Sequence, residues 1–409
     1  MKRLLSVALG ILTAIGGFVD IGDLVANALV GSRFGMSLAW ATLLGIVGIC
    51  VFAEMSGRVA AVTGRGTFDL VRERLGPRAG LANLVASMLV TMLTFTAEIG
   101  GVALAIELAT SVHYLLFVPV VGLAVWLIMW RVKFSVLEDV FGLLGLTLIV
   151  FAVALWQLHP SWGDLLHQVV APEKPAGEGS AVYFYYAIAL FGAAMTPYEV
   201  FFFSSGGVED RWTPKDILTS RINVFVGFPL GGMLSLAIAA CATLVFLPEG
   251  IQVDSLAQVA LPVAVAVGKL GLAAVILGFV AATFGAALET GLSTGYSISQ
   301  YFGWQWGKYV RPRDATRFHT VLLLATLVAV AGVLTTLDPI KVTEYSIVFS
   351  AVALPLTYLP ILIIANDADY MGEHVNGRLA NSLGTVILGV VLVVSVAAIP
   401  LMLYTKAGQ

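Results

Sequence analysis

The chain is a succession of apolar runs separated by short connections rich in glycine, proline and charge. At 1.5 Å per residue, a run of about 20 residues crosses the roughly 30 Å of hydrocarbon in a bilayer, so each run reads as a membrane-spanning helix. Windows bounded by Gly, Pro and charge place eleven spans near 4–31, 36–57, 80–111, 115–130, 134–158, 181–206, 222–248, 263–301, 318–337, 343–365 and 382–404. Two of them, the first and the sixth, are interrupted near their middles by the polar stretches Asp20-Ile21-Gly22-Asp23 and Thr196-Pro197-Tyr198-Glu199. Gly22 and Pro197 are expected to unwind their helices there. Unwinding frees backbone carbonyls and amides at membrane depth, where each costs several kcal/mol unless it lines a cavity or binds something.

Charge adds a direction to this pattern. With the N-terminus inside, seventeen of the 22 Lys and Arg residues fall on the cytoplasmic side, and only Arg33, Lys174, Lys269, Lys341 and Lys406 fall outside. That asymmetry supports both the orientation and the span count, because a missed or invented helix would scramble it. Spans 1–5 and 6–10 then make two five-helix units of opposite orientation, each led by its broken helix. The expected organisation is a first repeat over 1–158, an external loop over 159–180, a second repeat over 181–365, and an eleventh helix with the C-terminus over 366–409. Two inverted halves with broken helices read as a secondary transporter with its site at the midplane.

Composition agrees and narrows the chemistry. The chain is 59% hydrophobic and 11% charged with a mean hydropathy of +0.95, which leaves no soluble domain over. The N-terminal Met1-Lys2-Arg3 and the apolar run behind it resemble a signal peptide, but without small-residue cleavage signals the run is expected to be the first span. Cys50 and Cys241 both fall inside spans, so neither a disulfide framework nor a cysteine metal site is expected. All five histidines lie at or beyond span ends, which leaves none to relay protons through the core. The stretch Arg65–Arg78 is expected to be an orientation signal, or else part of an inner gate.

Four carboxylates remain inside apolar spans: Asp20, Asp23, Glu98 and Glu199. On the lenient insertion scale each costs about 2.5–3.5 kcal/mol at the centre of a helix. Two carboxylates about 4 Å apart repel by roughly 4 kcal/mol at an effective dielectric of 20, so a cluster without a basic partner takes up protons or a cation. No Lys or Arg lies mid-span, which favours the cation. Both breaks set two polar residues three apart, a spacing that aims them at one face of the following half-helix. Capping is the plainer account. Asp23 suits the N-cap of a half-helix over 24–29, and Thr196, Pro197 and Glu199 suit an N-cap, N1 and N3 capping box. Asp20 precedes the glycine and has no cap to serve, and Glu289 is the next carboxylate deep enough to border a pathway.

These residues resemble a known family. Asp20-Ile21-Gly22-Asp23 is similar to the Asp-Pro-Gly-Asn break in the first helix of Nramp divalent-metal transporters. Gly192-Ala193-Ala194-Met195-Thr196-Pro197-Tyr198-Glu199 resembles their Gly-Ala-x-x-Met-Pro-His-Asn break in the sixth. Ser37-Leu38-Ala39-Trp40, Val62-Thr63-Gly64 through Gly76-Pro77, Glu98 to Leu104, Ser299-Gln300-Tyr301 and Leu354-Pro355-Leu356 extend the likeness over nearly the whole chain. The resemblance implies an all-α LeuT-like 5+5 inverted repeat plus one helix. It implies ion ligands at Asp20, Asp23, Thr196 and the backbone carbonyl of Ala193, with Glu98 and Glu199 adding charge. Departures from the family's pattern point to a particular ion. The family's methionine thioether, which favours transition metals, is the hydroxyl of Thr196, a hard oxygen ligand. Its histidine is Tyr198, so the usual proton coupling is not expected. These changes look similar to those of the Nramp-related magnesium transporters, and a broad acidic cavity in which Asp20, Asp23, Glu98 and Glu199 bind hydrated Mg²⁺ or Mn²⁺ through water is expected.

The expected protein is therefore a monomeric transporter in the cell's inner membrane, not an enzyme. Its partners are a divalent ion and the lipid bilayer, with no cofactor and no nucleic acid. An amino-acid or other organic-solute symporter on the same scaffold is the alternative, disfavoured because Asp23 and Glu199 fill the half-helix N-termini with negative charge. An intramembrane aspartyl protease would need its two aspartates on facing helices, whereas Asp20 and Asp23 share one. A channel or sensor would differ in flux that does not saturate.

Overall fold

The computed structural model describes residues 18–335 and 338–408. The first part of the expected first span, with Lys2 and Arg3, lies outside them. Among the described residues nine stretches are long and apolar enough to cross a membrane, and Val118–Arg131 is a shorter apolar helix. One of the nine, Ile21–Thr63, contains two helices, so each of the eleven expected spans has its own helical counterpart.

The spanning helices are α1 (Ile21–Phe34), α2 (Ala39–Thr63), α3 (Pro77–Thr110), α4 (Val118–Arg131), α5 (Phe134–Gly145), α6 (Val150–Gln157), α7 (Ser180–Ala193) and α8 (Pro197–Glu209). They continue with α9 (Phe228–Val245), α10 (Leu256–Phe302), α11 (Thr316–Leu334), α12 (Pro339–Ala365) and α13 (Arg378–Tyr404). Helices α5 and α6 make one span through a 3₁₀ turn at Leu146–Ile149. Helix α10 has 47 residues, about 70 Å of helix and far more than a bilayer needs. It kinks at Gly268, whose φ of 75° is left-handed backbone that a glycine adopts without strain.

With apolar surface on every side, the helices are held less by hydrophobic contrast than by close packing. Gly31 shows how close. A Cβ there would sit 2.2 Å from the Ala239 carbonyl oxygen, so α1 rests directly on the backbone of α9. Where a connection crosses a bundle face, side chains stitch it down. The short helix Thr67–Leu75 lies over the ends of α8 and α10: Thr67 Oγ1 donates to Ser204 Oγ at 2.9 Å and the Phe68 amide to Gln300 Oε1 at 3.2 Å. Gln300 Nε2 donates in turn to Ser205 Oγ at 2.9 Å, and the Phe68 and Phe201 rings meet at 4.6 Å. On the opposite face Arg33, at the end of α1, pairs with Glu178 at 2.6 Å and donates to the Gly408 carbonyl at 2.8 Å.

Candidate ion-binding site

The two breaks meet α3 and α12 at the middle of the bundle, around a cavity of about 10 Å³. Asp20, Glu98, Ala193 and Thr196 line it with Thr94, Thr343, Ser346 and Ser350. That volume is about what one water occupies, so the broad cavity expected from the sequence is instead a narrow one.

The local structure of the first break departs from expectation in an instructive way. Helix α1 begins at Ile21, so Asp20 is its N-cap and Gly22 is already helical. Asp20 Oδ1 accepts from the Asp23 amide at 2.9 Å, and Oδ2 accepts from the Tyr198 hydroxyl at 3.2 Å. Asp20, expected to cap nothing, is thus the cap, while Asp23, expected as the cap, stands one turn inside the helix. The reason is the aspartate's geometry: a carboxylate accepting from the third amide on satisfies one of the orphan N–H groups of the first turn. Gly22 serves by absence of a side chain, since a Cβ there would lie 2.9 Å from Asp20 Oδ1 and 3.4 Å from Ile347.

At the second break, Thr196 holds the N-cap position in extended conformation and Pro197 is N1, as the sequence predicts. The reciprocal side-chain bonds of a capping box do not form. Among the described residues the Thr196 hydroxyl is buried without a hydrogen-bond partner, and so is Glu199 Oε2. Proline also decides which carbonyl is left over. The Gly192 carbonyl accepts from Ser350 Oγ at 3.5 Å and the Met195 carbonyl from the Tyr358 hydroxyl at 3.1 Å. The amide that would close the helical bond to Ala193 belongs to position 197, a proline with no N–H to give.

Glu98 joins from α3. Its Oε1 accepts from the Ile21 amide at 3.1 Å, while Oε2 is buried and has no partner among the described residues. The amide it takes is another orphan of the first turn of α1, so Glu98 and Asp20 together cap that helix from two sides. Buried polar atoms are nearly always hydrogen-bonded, which makes the empty oxygens on Glu98 and Thr196 the notable feature of the cavity wall. All are oxygen donors, the ligand type that hard dications prefer.

Asp23 and Glu199 do not line the cavity. Asn27 Nδ2 holds Asp23, donating to its carbonyl at 3.0 Å and to Oδ1 at 3.4 Å. Glu199 stands at the third helical position of α8, about 4.5 Å further along the axis than Thr196. Among the described residues no three His, Cys, Asp or Glu side chains are grouped to hold a metal ion together. The four acids therefore lie near one another without converging. Glu289, on α10, lies outside the lining as well.

Three hydroxyls that the sequence reading passed over also face the cavity. Thr343, Ser346 and Ser350 follow a spacing of three and four along α12, a polar stripe on one helix face. Thr94 and Glu98 make the matching stripe on α3, and Thr94 Oγ1 meets Ser346 Oγ at 2.7 Å. The periodicity was visible, but hydroxyls in membrane helices usually bond their own backbone and carry no signal singly.

A family model described as natural resistance-associated macrophage protein-like matches residues 10–400. Two bacterial proteins named divalent metal cation transporter MntH, from Erwinia tasmaniensis and Aeromonas hydrophila, are each 26% identical to this chain. Both matches cover 92% of it, and 89% and 91% of the relatives. Among solved structures, a mutant of the Eremococcus coleocola manganese transporter is similar with a TM-score of 0.74 at 18% identity, covering 99% of this chain and 94% of that one. MhsT in complex with L-phenylalanine is similar with a TM-score of 0.61 at 16% identity over 98% of both chains. The architecture is accordingly the all-α LeuT-like one, and among the described residues the sixth helix is broken between Ala193 and Pro197 while α1 begins at Ile21.

Proposed function

The chain belongs to the Nramp family, and from that premise we propose that it carries Mg²⁺ or Mn²⁺ through the membrane by alternating access. It is a multi-pass membrane protein of a divalent-metal transporter family and not an enzyme. The finer reading concerns the ion and its ligands. Asp20 and Glu98 supply charge, Thr196 a hydroxyl and Ala193 a carbonyl, while Asp23 and Glu199 add negative potential from just behind. One observation carries this: among the described residues Glu98 Oε2 and the Thr196 hydroxyl are buried without a hydrogen-bond partner, on residues that line this cavity beside Ala193, whose helical amide partner falls on Pro197. A dication replaces the missing bonds and offsets the cost of two carboxylates in lipid.

Thr196 gives the site its preference. A set made only of oxygens does not single out softer transition metals as a thioether would, so abundant hard dications compete on equal terms. Tyr198 gives Asp20 a hydrogen bond where the family has a histidine, and a phenol does not exchange a proton near neutral pH. Transport is therefore independent of proton movement. The proposal includes the two repeats 1–158 and 181–365, the connecting loop 159–180, an added eleventh helix in 366–409, a cytoplasmic N-terminus, the cell's inner membrane and a monomeric transport unit. An organic solute is disfavoured by size, because small-molecule pockets run to about 300–1,000 Å³ and this cavity is about 10 Å³.

Purified protein in liposomes gives the test. Saturable Mg²⁺ and Mn²⁺ uptake without acidification of the lumen is expected. Uptake of Fe²⁺ or Cd²⁺ with stoichiometric proton entry and no Mg²⁺ flux would overturn the assignment from Thr196 and Tyr198.

A further inference from the structure

A second, much larger cavity of about 710 Å³ opens where α2 ends and the segments leading into α9 and α13 begin. Its floor is an ion cluster. Glu54 accepts from Arg58 Nε at 3.0 Å and from Arg221 Nε at 2.8 Å, so one carboxylate is shared between two guanidinium groups. The span of α2 extends beyond the expected residue 57 to Thr63, which is why Arg58 lies inside the helix and is buried. Arg58 is fully committed, since it also donates to the His374 carbonyl and to Asn376 Oδ1. Arg221 is not. Among the described residues only its Nε is engaged, and Arg221 and Lys215 both line the cavity with nitrogens that make no hydrogen bond to those residues.

The wall beside these cations is apolar and open. Leu218, Phe225 and Leu379 are 60%, 53% and 74% exposed, and Leu383 stands one turn beyond Leu379 on the same side of α13. Phe225 lies in a π-helix, Asn223–Gly227, an irregularity frequent at functional sites. Three apolar helices start or finish at this level, so the cavity sits where hydrocarbon gives way to headgroups. Unspent positive charge next to an exposed apolar wall, at that depth, matches one class of molecule with a negative head and an apolar tail.

We infer that this cavity binds an anionic phospholipid, with the phosphate between Lys215 and Arg221 and an acyl chain along Leu218, Phe225 and Leu379. A free inorganic anion would use the cations but leave the apolar wall unexplained. The lipid touches α2, the entry to α9 and the start of α13 at once, so its occupancy ties together three elements of one bundle face.

The test is thermal unfolding and native mass spectrometry of the full chain in detergent, titrated with dioleoylphosphatidylglycerol, dioleoylphosphatidylcholine or inorganic phosphate. Phosphatidylglycerol is expected to bind and raise the melting temperature, while phosphatidylcholine and phosphate do neither. The double variant Lys215→Gln with Arg221→Gln is expected to bind phosphatidylglycerol about 30-fold more weakly, the factor for two cations at about 1 kcal/mol each. Lys215→Gln alone, which removes no protein contact, is expected to weaken it about 5-fold. Arg311→Gln with Arg313→Gln, exposed on the same side but outside the cavity, leaves binding unchanged. Equal lipid binding by wild type and Lys215→Gln, equal loss in the Arg311 and Arg313 control, or full competition by phosphate alone would overturn the inference.

Discussion

The two helix breaks occupy corresponding places in the two halves, yet they are finished in opposite ways. At the first, Asp20 is engaged on both oxygens, by the Asp23 amide and the Tyr198 hydroxyl, and it caps α1 as well as facing the cavity. At the second, Thr196 occupies the N-cap position with a hydroxyl that has no hydrogen-bond partner among the described residues, and Pro197 withholds the amide that would quiet Ala193. One break is a fixed anchor and the other a set of open valences. A transported ion needs both, because a site satisfied all round would not attract it, and one with no fixed ligand would not select it.

The largest effect expected from breaking this contrast is at the anchor. Asp20→Ala removes a charge and the cap of α1, and uptake into liposomes should fall more than about 100-fold. Asp20→Asn keeps an acceptor for the Asp23 amide, so α1 should still form while binding heat in calorimetry disappears. If Asp20→Asn and wild type bind the ion with equal heats, the anchor assignment fails. Glu98→Gln retains an oxygen for the Ile21 amide but loses the second charge, and should weaken Mg²⁺ or Mn²⁺ by about tenfold, roughly 1.4 kcal/mol.

On the open side, Thr196→Met exchanges a hard ligand for a soft one. Competition uptake should show Mg²⁺ losing about tenfold against Mn²⁺ and Cd²⁺, with total Mn²⁺ flux little changed. An unaltered ion order would mean that Thr196 is not a ligand. The smallest change expected is from Tyr198→Phe. Asp20 keeps its backbone bond, so affinity should move by less than about threefold. A collapse of transport in this variant would show the phenol to be part of the ion's path and not only a support for Asp20.

Much of this was legible in the chain. Hydropathy gave the spans, the polar interruptions located the midplane, and Thr196-Pro197 announced a half-helix start because a proline without an N–H belongs at N1. What misled was the assumption that the glycine marks the break. Gly22 is helical, and the turn begins one residue earlier because a carboxylate at position 20 reaches the amide of Asp23 and a partner from α3 takes the amide of Ile21. Local rules favour Asp23 as the cap, because it follows the glycine, and leave Asp20 without one. Only the approach of Glu98 and Tyr198 from other helices reverses that order.

The sequence by itself therefore determined a polytopic helical protein with two polar interruptions and acids inside its apolar spans, since bilayer thickness, proline chemistry and the cost of charge in hydrocarbon act locally. Which acids share one cavity, how small that cavity is, and that Glu54 is divided between Arg58 and Arg221 were decided by the packing of segments far apart in the chain. Side-chain direction at a contact depends on the rotation and depth of each helix against its neighbours, and periodicity along one helix carries no information about either.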